Sequence, residues 1–132
     1  MPISVEWDNE DKTAIRITYL DRWTWEENQQ ARQQTLDMIA TVNHIVHTIH
    51  DMRQSHGLPT DIITQARKRL QKKHSQVGLI IIIGNKSFVH VLYDVFATIY
   101  DKLVHKRKFY LVHSLEQAYQ LIDEFTTTQK NL

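Results

Sequence analysis

The sequence predicts an α/β domain, a single mixed sheet of about five strands covered by about four helices in the order ββαβαβαβα. Three observations carry this expectation. Val77-Gly78-Leu79-Ile80-Ile81-Ile82-Ile83 has no polar side chain, which suits a parallel strand buried on both faces. Helical periodicity begins at Phe88, and the pairing repeats when Phe109-Tyr110-Leu111-Val112 leads into a helix starting near Ser114. Short apolar runs alternating with amphipathic helices indicate a parallel sheet. The third observation is the opening alternation of Ile3, Val5 and Trp7, then Ile15, Ile17 and Tyr19, which reads as an antiparallel hairpin.

Each element has a local cause. Residues 2–7 form a half-exposed strand, Asp8-Asn9-Glu10-Asp11 a turn, and the segment around Ile15–Tyr19 the returning strand. Thr24-Trp25-Glu26-Glu27 fits a capping box, in which the threonine oxygen and the Glu27 carboxylate satisfy free amides. The helix it opens runs to about Thr41 and buries Trp25, Leu36, Ile39 and Ala40. Residues 44–51 contain the β-branched Ile45, Val46, Thr48 and Ile49 and read as a strand. The competing reading, one helix from residue 25 to about His56, would be unusually long for so short a domain. Gly57 and Pro59 end the segment, and Thr60 can cap a helix over 61–74. Phe88, Val91, Leu92, Val95, Phe96, Ile99 and Leu103 share one helical face. Ser114 with Gln117 forms a second capping box, and Leu115, Ala118, Ile122 and Phe125 line the last helix, with a frayed tail at 126–132.

Composition bounds the function. At 132 residues the chain reads as one domain spanning 1–132, large enough for a core without disulfides. It has no cysteine, which excludes thiol chemistry and suits a reducing cytoplasm. No basic-then-apolar leader and no membrane-spanning apolar stretch is evident. Residues 1–66 hold 5 Lys/Arg against 10 Asp/Glu, a net of −5, and residues 67–132 hold 11 against 5, a net of +6. The resulting +1 is far from the basic balance of a nucleic-acid binder.

The element order, together with Val5-Glu6-Trp7, Trp23-Thr24-Trp25-Glu26-Glu27, the strand ending at Asp51, Ser55-His56-Gly57-Leu58-Pro59 and Leu111-Val112-His113-Ser114-Leu115-Glu116-Gln117-Ala118, resembles the STAS domain family. The likeness is to its anti-sigma-factor-antagonist, SpoIIAA-like branch, often grouped with lipid-binding CRAL-TRIO relatives. It spans nearly the whole chain. The resemblance implies a non-enzymatic regulatory module that binds a protein partner and needs no cofactor. In that branch a serine in an Asp-Ser-Ser-Gly-Leu stretch is phosphorylated by a partner kinase. The matching residues here are Gln54-Ser55-His56-Gly57-Leu58, so Ser55 stands at the phosphoacceptor position. Gln54 replaces the acidic residue and His56 the second serine. The plainer reading makes Ser55 a polar turn residue beside a glycine required by the backbone.

Other constellations have two readings each. Gly84-Asn85-Lys86-Ser87 lies between strand and helix, where outward amides favour an anion; the preferred reading is a short strand-to-helix turn capped by Asn85 or Ser87. The 52–60 and 84–88 loops should meet at the carboxyl edge of the sheet, the expected interaction face. As a strand, 44–51 sends His44 and His50 to one side and His47 to the other, so no metal site is expected. Arg67-Lys68-Arg69 with Lys72-Lys73, and Lys102 with Lys106-Arg107-Lys108, fall at helix C-termini at the opposite pole. They either complement helix dipoles or meet an anionic surface. Trp7, Trp23 and Trp25 pack the hairpin on the first helix or line a pocket for a small apolar, lipid-like ligand. No Ser-His-Asp order, carboxylate pair or nucleotide fingerprint supports catalysis. Homodimerisation through a sheet edge or helix face is a further reading.

Overall fold

Alternation in the first twenty residues produces the hairpin. Strand β1 (Ile3–Trp7) pairs antiparallel with β2 (Ala14–Asp21), from Ile3 opposite Tyr19 to Trp7 opposite Ile15. Asn9 closes the turn, its Oδ1 accepting from the Thr13 amide at 3.0 Å while its amide nitrogen donates to Thr13 Oγ1 at 2.6 Å. The computed structural model describes residues 2–62, 64–65, 68, 74–85 and 109–130. Within these, β3 (Val46–Ser55), β4 (Val77–Ile83) and β5 (Phe109–Val112) add in sequence order, each parallel to its predecessor. The result is a five-stranded mixed sheet ordered β1-β2-β3-β4-β5.

The strand reading of the ambiguous segment holds, with different bounds. β3 begins two residues later than expected and continues four residues past Asp51, to Ser55. The continuation has a physical cause: β2 itself extends to Asp21, so Gln54 and Ser55 find ladder partners in Leu20 and Asp21. Residues 52–55, expected in a loop, are therefore strand.

Period-two alternation then sorts the core into two faces. Ile15, Ile17, Tyr19, Val46, Met52 and Ile82 form one buried cluster, against helix α1 (Trp25–Ile39). Ala14, Ile49, Leu79, Ile81, Ile83 and Val112 form the other, with Ala118, Leu115, Ile122 and Phe125 of helix α2 (Leu115–Lys130) packed on it. β4 contributes to both clusters, which is why it has no polar position.

Helix α1 opens on the expected capping box, with Thr24 Oγ1 accepting from the Glu27 amide at 3.2 Å and Glu27 Oε1 accepting from the Thr24 amide at 3.0 Å. Ala31, Thr35 and Ile39 form its buried stripe, while Trp25 and Leu36 are half-buried. Ala40, expected inside, is exposed because the helix ends at Ile39 and the chain turns away. Gln76 anchors that turn, donating to the Val42 carbonyl at 2.8 Å and the His44 carbonyl at 3.2 Å. At α2, Ser114 Oγ accepts from the Gln117 amide at 3.2 Å, but Gln117 Oε1 reaches back to the His113 amide at 2.7 Å. The box is thus displaced by one residue. The tail expected to fray from 126 is helical to Lys130, with Thr126 Oγ1 bonded to the Ile122 carbonyl at 3.0 Å.

Two helices are described, not about four. The helices expected over 61–74 and from Phe88 to Leu103 fall mainly or wholly on residues outside those described, as do Arg67, Arg69, Lys72, Lys73, Lys102, Lys106, Arg107 and Lys108.

Candidate functional site

Parallel strands end together, and the carboxyl ends of β2, β3 and β4 border a concave surface. An open cleft of about 500 Å³ lies there, lined by Leu20, Asp21, Arg53, Gln54, Ser55, His56 and Asn85. Residues from the two segments expected to meet, 52–60 and 84–88, do line one cleft. Lys86 and Ser87 lie outside the described residues.

Ser55 is the last residue of β3 and half-buried. Its Oγ accepts from Trp23 Nε1 at 3.0 Å and donates to the Gly57 carbonyl at 3.0 Å. The hydroxyl is therefore tied into the turn. Gly57 has φ +71, a left-handed conformation that glycine adopts freely. Beside it His56 is bound twice to Asp21: its amide donates to the Asp21 carbonyl at 2.7 Å, and Nδ1 lies 3.3 Å from Asp21 Oδ1. Asp21 itself has φ +50, tolerated by aspartate better than by most side chains. Both side chains of this pair are largely exposed, 74% for His56 and 84% for Asp21, so its contribution to stability is small.

Below the rim, Arg53 grips Asp51 bidentately, Nε to Oδ1 at 2.9 Å and the terminal nitrogen to Oδ2 at 2.8 Å. Burial alone would raise the Asp51 pKa. The hydrogen bonds from Arg53, with the charges of Arg53 and Arg16, outweigh it and hold the carboxyl below its usual range. Sequence reasoning missed Leu20 and Asp21, and placed Arg53 in the 52–60 interaction segment without singling it out. Leu20 and Asp21 were recoverable in principle, because a parallel neighbour of β3 must bring its own C-terminal residues to the same edge. Ser55 Oγ is bonded to an indole N–H and a backbone carbonyl, neither of which is a general base.

The histidines separate as a strand requires. His47 faces α2 and is buried; its Nδ1 accepts from the Leu79 amide at 2.9 Å and its ring meets Phe125 edge-on at 4.9 Å. That bond places the proton on Nε2 of a neutral ring, and burial pushes its pKa down. Gly78 is required beside it, because a Cβ there would lie 2.7 Å from both His47 Cε1 and Ile45 Cγ2. His50 faces α1, stacked on Tyr19 with its Nδ1 3.1 Å from the tyrosine hydroxyl. Although the residue keeps some accessible surface, desolvation pushes its pKa down to about 4. His44 lies exposed in the turn before β3. Among the described residues no group of three His, Cys, Asp or Glu side chains has metal-binding geometry.

The tryptophans divide as well. Trp23 and Trp25 meet edge-on at 5.1 Å, and Tyr19 lies 5.0 Å from Trp23. Trp7 sits at the other end of the hairpin, opposite Ile15, with Lys12 Nζ 5.8 Å from its ring. The hollow at Pro2, Ile3, Glu27, Gln30, Ala31 and Gln34 measures about 30 Å³, water-sized rather than lipid-sized.

A hairpin continued by parallel strands, with helices on both faces, defines an α/β domain of the SpoIIAA-like, STAS-like fold. The solved structure of an uncharacterised DUF3478-family protein with a SpoIIAA-like fold, from Shewanella loihica PV-4, matches at a TM-score of 0.60 over 90% of each chain. The two chains share 14% sequence identity, so the likeness is one of fold. No family model and no curated protein matches the chain. No described helix is long and apolar enough to cross a membrane.

Proposed function

We propose that this chain is a non-enzymatic regulatory module that binds a protein partner through the carboxyl edge of its parallel strands. One observation carries the reading: the ends of three neighbouring strands deliver polar, exposed side chains (Asp21, Arg53, Gln54, His56 and Asn85) to one cleft, while the rest of the same strands is largely buried. Protein surfaces that recognise rather than transform a partner need such a fixed polar rim on a rigid base. The resemblance to anti-sigma-factor antagonists supports the same edge. A phosphate on Ser55 would add charge there and remove the proton that its hydroxyl donates to the Gly57 carbonyl, remodelling the turn that the partner meets.

The test is a photoreactive residue placed at Gln54, with a control at exposed Gln33 on α1, in cells that make the protein naturally. Discrete protein adducts at position 54 and none at 33 support the reading. Adducts at 33 alone, or at neither position, overturn it. The alternative is a carrier of a small apolar or lipid-like ligand, and native mass spectrometry of the same preparation distinguishes it by a releasable apolar adduct. A mass increment of one phosphate mapped to Ser55 would identify the switch.

A further inference from the structure

The two edges of the sheet differ. β5 is only four residues long, and a very short edge strand resists pairing. β1 has no proline or lysine between Ile3 and Trp7, and its register with β2 is uninterrupted. Its pairing phase fixes where its free groups point. The Leu20 amide donates to the Pro2 carbonyl at 2.7 Å and the Asp8 amide to the Ala14 carbonyl at 2.9 Å. The even-numbered residues therefore bond inward to β2, and the backbone groups of Ile3, Val5 and Trp7 face outward. Among the described residues nothing pairs with that outer side.

We propose that β1 is a homodimerisation edge, on which β1 of a second copy pairs antiparallel about a twofold axis at Val5. Self-complementarity is the argument for this occupant. With Val5 opposite Val5 of the other copy, Ile3 meets Trp7, and the outward groups of all three residues bond in register. On the opposite face Ser4 meets Glu6, so no like charges stand opposed; both side chains are exposed and free to meet. Shifting the register until residue 6 faces residue 6 would oppose two carboxylates, which disfavours that alternative. Val5 and Trp7, half-buried at the end of the apolar cluster, would be covered by the partner's hairpin. An isologous contact of this kind closes on itself as a dimer.

Sedimentation of the full chain up to about 1 mM, the weak end of specific association, tests this. A reversible dimer is expected, and a monomer throughout overturns the proposal. In the dimer the amides of Ile3, Val5 and Trp7 should gain hydrogen-exchange protection as concentration rises; unchanged exchange at all three would place the contact elsewhere and overturn it. Val5→Pro removes only an outward amide and should yield a folded monomer, judged by circular dichroism. Should that variant fail to fold, position 4 decides, because it is exposed and faces neutral Thr18 within the chain. Ser4→Glu should weaken the dimer about fivefold and Ser4→Lys tighten it by a similar factor, through two symmetric contacts with Glu6. Equal effects of the two charges would overturn the pairing.

Discussion

The two ends of β3 show how one strand can serve two ends. From Val46 to Met52 the residues are buried or nearly so, and even the polar ones are locked: His47 onto the Leu79 amide, His50 onto Tyr19, Asp51 onto Arg53. Past an irregularity in the ladder between Asp51 and Gln54, the same strand pairs Gln54 and Ser55 with β2, while Arg53 and Gln54 are exposed and Ser55 is half-buried. The difference lies in what covers each end. Helices pack on the sheet over the first part, and the open cleft lies at the second. A buried segment thus holds a polar one in place, as the proposed recognition edge requires.

The comparison breaks most severely in the dry part. Ile81 is fully buried between β3 and β5 on the α2 side; Ile81→Ala should cost about 4 kcal/mol in denaturant unfolding. Acid should come next. The His50 pKa is 6.5 when unfolded and about 4 when folded, so its neutral form stabilises the protein fully above pH 6.5. That stability is lost as pH falls from 6.5 toward 4, by on the order of 3 kcal/mol. His47 shifts in the same direction and adds to the loss, whereas the depressed carboxyl of Asp51 contributes only below its unfolded value of 3.8. Unfolding midpoints across this range should fall steadily, and His50→Gln should flatten the profile; a profile level from pH 7 to 4 contradicts the neutral-histidine account. At the boundary between the two ends, Ser55→Ala leaves Trp23 Nε1 without its acceptor and should cost about 1 kcal/mol. Smallest of all, Gln54→Ala should change stability by less than about 0.5 kcal/mol. A large loss there would make position 54 part of the packing, against the division drawn here.

Much of the dry part was legible in the sequence. The all-apolar run of β4 could sit only between two layers, and the hairpin followed from strict alternation. The Thr24 box followed from spacing alone. The bounds of β3 were not legible, because Arg53, Gln54 and Ser55 are polar and read as loop. Their strand conformation comes from a neighbour: β2 reaches Asp21 and supplies the ladder. For the same reason Leu20 and Asp21 were not assigned to the cleft. The Asp51–Arg53 grip is a two-residue alternation on one face of a strand, invisible until the segment is known to be a strand. The histidine-rich stretch resolved once that was settled, since period two sends His47 and His50 to opposite faces.

The central claim is that the outer end of β3 contacts a partner and carries little of the stability. A photoreactive residue at position 56, with and without Gln54→Arg, tests both halves in one protein. The account predicts discrete adducts in the parent, their loss in the variant, and the same thermal midpoint in both. Adducts that persist in a variant of unchanged stability would contradict it.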